Sequence, residues 1–282
     1  LKPWPGAVAI YRSAEEAGFA LAGLVTRSAV MGRTIDALPS GPTSRIDHVN
    51  RVRVKLDHGE LQSVSRIRML GGANALAVRN SAGVWEVMQF ETATLVAPLT
   101  YELSGLLRGQ AGSESAIEPM LAAGARIVLL DSALVSPGIG IDDIGVDYRW
   151  RIGPSGRALG HADYVDTTHA FTGRGLVPLS PVHVRGSRAV GDLTVTWIRR
   201  TRRGGDGWEV AEVPLAEDAE AYEVEILDGG MVKRSWRLDE PRLVYSAAEQ
   251  VADFGFVQAS VSVRVRQVSA VMGPGTPATA VV

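Results

Sequence analysis

Apolar and polar residues alternate with a period of two along much of this chain, which is the pattern of β-strands with one buried face. Residues 51–56 alternate strictly, and residues 85–91 do so around a tryptophan and a phenylalanine. The same alternation returns in the last third of the chain, in residues 193–198, 222–226 and 261–266. These patterns predict an all-β chain with little helix, in which residues 115–123 could form one short helix.

Turn residues separate the predicted strands at short intervals. Residues 57–59 (Asp-His-Gly) predict a hairpin that joins strand 51–56 to strand 60–64. Residues 80–83 (Asn-Ser-Ala-Gly) predict a second hairpin, between residues 76–79 and 84–90. Residues 125–130, bounded by a glycine and an aspartate, are predicted to form a buried strand.

A change of composition at residues 178–181 (Pro-Leu-Ser-Pro) predicts a linker between two domains. Residues 1–177 are expected to form an irregular multi-strand β region, either one unit or two small ones. Residues 178–282 contain five or more strands with regular turns, which favours an antiparallel β-sandwich.

The second half resembles a fibronectin type III domain. In that resemblance Pro181 opens the domain, Trp197 is the core tryptophan of the second strand, and Tyr222 begins the third strand. Residues 273–275 (Gly-Pro-Gly) form the last hairpin. The family usually has a tyrosine near the start of the sixth strand, where this chain has Val261, so the corner hydrogen bond of that tyrosine is expected to be absent.

The least generic stretch is residues 101–114, Tyr-Glu-Leu-Ser-Gly-Leu-Leu-Arg-Gly-Gln-Ala-Gly-Ser-Glu. Its glycines permit positive φ or close backbone approach, and Arg108 and Glu114 place opposite charges on either side of a predicted turn. It contains no nucleophile with a base, phosphate loop or metal motif, so we interpret it as a structural junction. Its signature residues are Leu103, Gly105, Leu106, Leu107, Arg108, Gly109, Gln110, Gly112 and Glu114.

This run resembles the Leu-x-Gly-Leu-Leu-Arg-Gly-Gln-x-Gly-Ser/Thr-Glu signature of phage tail-tip and baseplate proteins. The likeness is greatest to the large baseplate ("megatron") protein of gene transfer agents, which are phage-like particles of alphaproteobacteria. It extends to residues 3–12 and 123–131, and thus over much of residues 1–180. In that family a TIM-barrel-like region precedes this part. Since Leu1 is not a start methionine, we expect a longer chain upstream.

The resemblance implies a structural component of the baseplate, with roles in hub assembly, contact with the host envelope and DNA delivery, and no enzyme activity. It implies a homotrimer that binds other baseplate and tail proteins, with host cell-surface glycans as a further candidate partner. Such a protein is assembled in the bacterial cytoplasm and released with the particle, where it lies at the tail tip.

Composition narrows the functional classes. The formal net charge is −2, so no global field attracts nucleic acid or an anionic membrane, and we expect no sequence-specific nucleic-acid partner. The chain has no cysteine, which excludes disulfides, thiolate zinc sites and a cysteine nucleophile. No run of apolar residues is long enough to predict a transmembrane segment.

Two clusters suggest metals at first sight. His161, Asp163 and His169 have the most metal-like arrangement, and residues 142–147 contain Asp142, Asp143 and Asp147. The aspartates lack the glycine and terminal glutamate of an EF-hand, and we interpret both clusters as solvated loop residues. We therefore expect no catalytic residue, no cofactor and no metal site.

One basic cluster is a candidate surface-binding site, with Trp208 five residues beyond its end. It could contact phosphates, contact acidic sugars of a bacterial surface, or simply be solvated in an exposed loop beside nearby acidic residues. Its members are Arg199, Arg200, Arg202, Arg203 and Trp208.

Two other functions stay open at this level. The chain could be a carbohydrate-binding or adhesive module of a secreted multidomain protein, with its tryptophans forming a sugar platform. An enzyme would require a cleft in which His161, Asp163 and His169 converge on a metal. The tryptophans are Trp4, Trp85, Trp150, Trp197, Trp208 and Trp236.

Overall fold

The computed structural model describes residues 4–204 and 213–282. The chain divides into two units, Leu1–Gly173 and Arg174–Val282. The division lies close to the linker predicted at residues 178–181. Nearly all regular structure is antiparallel β-sheet, so the all-β prediction is confirmed.

The first unit contains twelve strands and one short helix. Single 3₁₀ turns occur at Glu114–Ala116 and Ile141–Asp143. The strands and helix are β1 Val8–Ser13, β2 Ala20–Val25, β3 Met31–Thr34, β4 Leu38–Pro39, β5 Val52–Leu56, α1 Arg66–Leu70, β6 Ala75–Arg79, β7 Trp85–Ala97, β8 Thr100–Gln110, β9 Met120–Leu121, β10 Arg126–Leu129, β11 Tyr148–Pro154 and β12 Val165–His169.

Six of these strands close into a barrel in the order β10-β3-β5-β8-β7-β6, with β6 paired to β10. The alternation predicted for residues 51–56 is confirmed, because Val52, Val54 and Leu56 face the interior while the residues between them are exposed. Phe90 and Leu103 pack against them as fully buried side chains of β7 and β8. Closure of the sheet leaves no free edge, which is one way to prevent edge-to-edge association.

The two predicted hairpins of this region have different outcomes. Residues 80–83 join β6 to β7 in an antiparallel pair, as predicted. The hairpin at residues 57–59 is wrong, since β5 pairs with β3 and β8 and no strand forms at residues 60–64. Instead, this segment runs beside β7, where the Val64 N–H donates to the Glu91 carbonyl, and Leu61 is buried in the core.

Two further predictions for the first unit are partly right. Residues 125–130 do contain a strand, β10, but only its inner face is buried, because Arg126 is exposed beside the buried Ile127. The predicted helix at residues 115–123 is reduced to the 3₁₀ turn Glu114–Ala116, after which Met120–Leu121 forms a short strand paired with β4.

Four further strands of the first unit form a separate sheet in the order β12-β11-β1-β2, while β4 and β9 pair only with each other. The buried Trp150 of β11 packs edge-on against Tyr148 and Phe171. The two outer strands, β2 and β12, are the edges of this sheet.

The described residues of the second unit contain eight strands and one helix, preceded by a 3₁₀ turn at Arg174–Leu176. They are β13 Val182–Ala189, β14 Asp192–Ile198, β15 Tyr222–Asp228, β16 Met231–Leu238, β17 Arg242–Tyr245, α2 Ala247–Phe254, β18 Ser262–Ser269, β19 Gly273–Pro274 and β20 Ala278–Val281.

These strands form the fibronectin type III-like sandwich that the sequence predicts. One sheet has the order β13-β14-β17, and the other has the order β16-β15-β18, with β19 and β20 on the far side of β18. Trp197 lies in the second strand and packs edge-on against Tyr222 at the start of the third, as the resemblance implies. Inward-facing residues of both sheets form one core.

Val261 precedes the sixth strand as a buried apolar residue, in the place where the family usually has a tyrosine. A different tyrosine, Tyr245 at the end of β17, donates its hydroxyl to Asp253 of α2 at 2.7 Å. The sequence analysis missed α2, although Ser246 and Glu249 form the capping box that marks a helix start.

Candidate functional site

The signature run 101–114 forms most of β8, the barrel strand between β5 and β7. The turn predicted between Arg108 and Glu114 is present at residues 111–113, after a strand that continues through Gly105 and Gly109 as far as Gln110. Leu103 and Leu106 both lie in the barrel core although they are three residues apart. A regular strand would send them to opposite faces, so the alternation must change phase at Gly105, where φ is +64°.

Gly109 occupies an irregular position of the same strand. The register between β7 and β8 shifts there, with Val87 opposite Gln110 and Gln89 opposite Leu107. Its φ is +63°, and a Cβ at this position would lie 2.9 Å from Cγ and 3.1 Å from Cα of Glu114. Glycine is thus required both by the backbone conformation and by the close approach of the chain that returns after the strand.

We expect Gly109→Ala to lower the free energy of unfolding by about 2 kcal/mol, because alanine adds left-handed strain and contact with Glu114. Gly124→Ala is the matched control, since Gly124 also has a positive φ but has open space around its Cβ position. Urea denaturation of both variants measures the difference. Equal losses would show that backbone strain alone, and not the close approach, requires glycine at residue 109.

Arg108 is the most unusual signature residue, since its side chain is 0% exposed. Its guanidinium donates two hydrogen bonds to Glu86 of β7, at 2.5 and 2.7 Å, and a third to the Pro39 carbonyl at 3.0 Å. Glu86, whose side chain is 4% exposed, also accepts from the Gly109 N–H at 3.2 Å. Arg108 and Glu114 thus lie on either side of the turn, and the buried bidentate partner of Arg108 is Glu86.

Asp47 fixes the loop that crosses the signature strand. It is buried, and its backbone exchanges two hydrogen bonds with Leu106, at 2.7 and 3.0 Å. Its carboxylate accepts from the N–H groups of Val49 and Asn50 and from the Asn50 side chain. Burial raises the pKa of Asp47, but these hydrogen bonds outweigh burial and hold the pKa below its usual value.

Neither Glu86 nor Asp47 was singled out from the sequence. Glu86 lies in a strand predicted to alternate, with its charged residues on the outer face, so its pattern gives no sign of an inward carboxylate. Asp47 is followed three residues later by Asn50, which is a common loop arrangement. The available signal was the position of Arg108 beside two leucines. An arginine that is buried there requires a hydrogen-bond acceptor, which predicts a buried carboxylate or carbonyl nearby.

Residues 95–99, the end of the β7–β8 hairpin and called the apolar turn below, are apolar and largely exposed. Leu95, Val96 and Leu99 are 61%, 50% and 39% exposed, and they surround Ala97 and Pro98. Contiguous exposed apolar residues of this kind are more typical of an interaction surface than of a solvated turn.

The basic cluster at residues 199–203 is partly used within the second unit. The guanidinium of Arg199 donates to the carbonyls of Val213 and Pro214, and Arg202 pairs with the buried carboxylate of Glu217 at 2.7 Å. Arg200 is half-buried and Arg203 is exposed. The fifth candidate, Trp208, lies outside the described residues. As a surface-binding site, the cluster therefore retains fewer available charges than its sequence indicates.

The metal-like residues have separate partners. His161 and Asp163 contact each other at 3.3 Å, while His169 packs edge-on against Phe171. Asp143 accepts from Tyr148, Gly140 and Arg12, and the Tyr148 hydroxyl is the main reason that its pKa is lowered. Within residues 4–204 and 213–282, no group of three or more His, Asp or Glu side chains is placed to hold a metal ion.

A cleft of about 360 Å³ lies against the sheet of β11 and β12. Its ionisable side chains are paired, Arg149 with Glu16 at 3.1 Å and Arg151 with Asp166 at 3.2 Å. The Arg151 guanidinium also lies over the ring of Phe19. Both carboxylates of the cleft are exposed, and each is bound to an arginine.

The tryptophans give little support to a shared sugar platform. Trp150 is buried in the first unit and Trp197 in the second, so neither offers a ring face to a ligand. Trp236 packs edge-on against Tyr245 within the sandwich. Trp236 is half-buried, and Trp4 and Trp85 are exposed at 39% and 37%.

Comparison with known families gives one match. Residues 29–128 match the family described as "Rcc01698-like, C-terminal", a name associated with gene transfer agents. The matched segment begins before β3 and ends within β10, and it includes the whole of β8 with its buried arginine. No curated protein matches the chain.

Solved structures that match parts of the chain include two from animals. Domains d3-d4 of the rat CD45 extracellular region are 12% identical, cover 54% of this chain and 71% of theirs, and superpose with a TM-score of 0.29. The chicken CNTN1 FN1-FN3 domains are 15% identical, cover 89% of this chain and 64% of theirs, and have a TM-score of 0.26. The assignment of the second unit depends on its own strand order, not on these scores.

Proposed function

We propose that this chain is a structural component of the tail tip of a phage-like particle of the gene transfer agent type. It contributes to hub assembly, contact with the host envelope and DNA delivery, and it acts through its shape and surfaces, not as an enzyme. The particle is assembled in the bacterial cytoplasm and then released. The observation that carries the proposal is the match of residues 29–128, because this segment contains the complete signature strand.

The barrel supports a role that needs a rigid body. The signature strand is held by the buried pair of Arg108 and Glu86, in which each guanidinium nitrogen and each carboxylate oxygen has a hydrogen-bond partner. Buried, satisfied polar networks rigidify a core and specify a single arrangement. In the described part of the chain, no helix is long and apolar enough to cross a membrane.

The apolar turn between β7 and β8 supports self-association. In our proposal, Leu95, Val96 and Leu99 lie in the contact between copies of a homotrimer, which other baseplate and tail proteins extend. Closed cyclic symmetry would bury the same turn once in each subunit. Burial of large aliphatic side chains stabilises such contacts by about 1.5–3 kcal/mol each.

The test is the composition of purified particles. We expect about three copies of this chain per particle, located at the tail end by labelled electron microscopy and counted by quantitative mass spectrometry. Replacing Leu95 and Val96 together by aspartate should remove the chain from the particles, because each charge would be buried in the subunit contact. The matched control is Val190→Asp, an exposed apolar position on a turn of the second unit, which should leave the copy number unchanged.

Three results would contradict this proposal: absence of the wild-type chain from purified particles, a distribution along the whole tail, or equal incorporation of the Leu95 and Val96 variant. Circular dichroism of the purified variant shows whether a loss of incorporation comes from a loss of folding.

A further inference from the structure

Four cations form a row across neighbouring strands of the barrel. Arg33 of β3 lies directly opposite Arg126 of β10, and on its other side directly opposite Lys55 of β5. The register of β10 with β6 pairs Ile127 with Val78, which places Arg79 level with Arg126. Because neighbouring strands are about 4.8 Å apart, the four residues span about 14 Å.

All four side chains belong to the outer face. Their neighbours along the strands, Thr34, Val54 and Ile127, are buried, whereas the four cationic residues are exposed. The row is thus a consequence of strand register, since residues at positions 33, 55, 79 and 126 are far apart in the sequence. This is why the sequence analysis did not find it.

The charges of the row are not neutralised within the described chain. Like charges directly opposite each other on paired strands are destabilising. Elsewhere on the same barrel the charges are compensated, since Arg53 lies opposite Glu102 and is held by both oxygens of Asp36. By contrast, no carboxylate in residues 4–204 and 213–282 forms an ion pair with a member of the row.

Main-chain carbonyls hold several of these side chains in place without neutralising them. Arg33 donates to the Gly124 carbonyl at 3.1 Å, and Arg79 donates to the Gly83 carbonyl at 3.2 Å. Lys55 donates to the Pro98 carbonyl at 2.5 Å. The positions of the charges are therefore partly organised before any ligand arrives, which reduces the entropic cost of binding.

The three arginines surround an open cleft of about 380 Å³ next to the β6–β7 turn. The described residues that line this cleft include no acidic side chain. Glu118 is not among them, although it accepts hydrogen bonds from the N–H and hydroxyl of Ser81 and so places one carboxylate beside the turn. Trp85 lies opposite Arg79 in the register and is partly exposed, so an aromatic ring borders one end of the row.

We propose that this cleft and row bind a phosphate-bearing polysaccharide. Arginine forks match phosphate oxygens in geometry and charge, and a partly exposed tryptophan beside them suits the face of a sugar ring. A single-stranded nucleic acid is less well matched, because such sites use several stacking aromatics along a longer basic groove. The net charge of −2 also argues against a general attraction to nucleic acid.

This inference deepens the envelope-contact part of the proposed function and rests on it for the source of the polysaccharide. The experiment uses the purified chain, so a failure to bind polysaccharide would not contradict the proposed location at the tail tip. Likewise, absence of the chain from particles would not contradict the binding measured with the purified chain.

The experiment measures binding of the full chain to yeast phosphomannan, to the same mannan after phosphatase treatment, and to oligothymidylate. We expect saturable binding of phosphomannan that weakens as salt rises, and at least tenfold weaker binding after dephosphorylation. Arg126→Gln should weaken phosphomannan binding about tenfold, because a charged fork is lost from the centre of the row. Arg51→Gln is the matched control, since Arg51 is also an exposed barrel arginine but is paired with Glu102.

Thermal denaturation provides a second measurement that does not depend on the polysaccharide. Inorganic phosphate should raise the melting temperature of the wild type more than that of Arg126→Gln, because both share the general effect of an excluded salt and only the wild type keeps the complete row. Without ligand, this variant should be no less stable than the wild type, because Arg126 faces Arg33. Equal weakening by Arg51→Gln, no effect of dephosphorylation, or tighter binding of oligothymidylate would each overturn the proposal.

Discussion

Replacing Arg108 by alanine is expected to lower the free energy of unfolding of the first unit by about 3–5 kcal/mol. The substitution leaves the carboxylate of Glu86 buried without its guanidinium, and it leaves a cavity where the side chain was fully enclosed. The Pro39 carbonyl also loses a donor. Urea denaturation measures the loss, and hydrogen exchange followed by mass spectrometry should locate it in β7 and β8.

Two further variants separate the buried charge from the loss of side-chain volume. The double variant Arg108→Met with Glu86→Leu removes both charges and keeps most of the volume, so it should recover much of the stability lost in Arg108→Ala. Arg53→Ala is the matched control, because Arg53 makes an equally close bidentate contact with Asp36 on the exposed barrel surface. This control should cost at most about 1 kcal/mol. Similar losses for Arg53→Ala and Arg108→Ala would contradict the importance of burial.

The second large effect is expected at Asp253, where alanine should lower the free energy of unfolding of the sandwich by about 2–3 kcal/mol. Asp253 lies on α2 and accepts two hydrogen bonds from Arg234 of β16, at 2.7 and 2.8 Å. It also accepts the Tyr245 hydroxyl from β17, which belongs to the opposite sheet. One carboxylate therefore connects the helix to both sheets, and its loss leaves the buried tyrosine hydroxyl without this acceptor.

The pH dependence of stability gives an independent check of this contact. The hydrogen bond from Arg234 is the main reason that the pKa of Asp253 lies below its usual value, and Tyr245 adds to the shift. A carboxyl group with a lowered folded-state pKa contributes stability above its unfolded pKa of about 3.9, and this contribution is lost as the pH falls through the folded pKa. Asp253→Asn should therefore remove part of the acid sensitivity that the wild-type sandwich shows below about pH 4.

The control for both experiments is Asp239→Ala, at an exposed position after β16. Exposed substitutions usually change stability by no more than about 0.5 kcal/mol. If Asp239→Ala and Asp253→Ala lost the same stability, or if Asp253→Asn kept the acid sensitivity of the wild type, the carboxylate would not be the connection between helix and sheets.

Local sequence patterns were sufficient to predict most of the strands. The alternation in residues 51–56 and 193–198 reports directly which side chains are buried, because successive side chains of a strand point to opposite faces. The turn at residues 80–83 was also predictable, since its asparagine and glycine suit a tight reversal and its Asn80 side chain accepts from the Val84 N–H. Helix α2 had an identifiable start in Ser246 and Glu249 that the strand pattern on both sides obscured.

The sequence did not predict which residues meet in the candidate sites. The sequence identifies Arg108 as part of an unusual run, but it does not identify Glu86 as its partner, because their meeting depends on the register between β7 and β8. The cationic row has the same origin, since Arg33, Arg79 and Arg126 come together only through the pairing of three strands. The wrong hairpin at residues 57–59 likewise arose because local turn residues do not determine which strands pair.

By itself, the sequence determined that this protein is built from antiparallel strands, that its last part is a sandwich, and that residues 101–114 are its most specific run. Those properties follow from side-chain periodicity and turn chemistry, which act between near neighbours. Only the tertiary structure decided the closure of the barrel, the burial of Arg108 against Glu86, and the alignment of four cations on one face. Those properties depend on strand register, which is set by packing between residues that are distant in the chain.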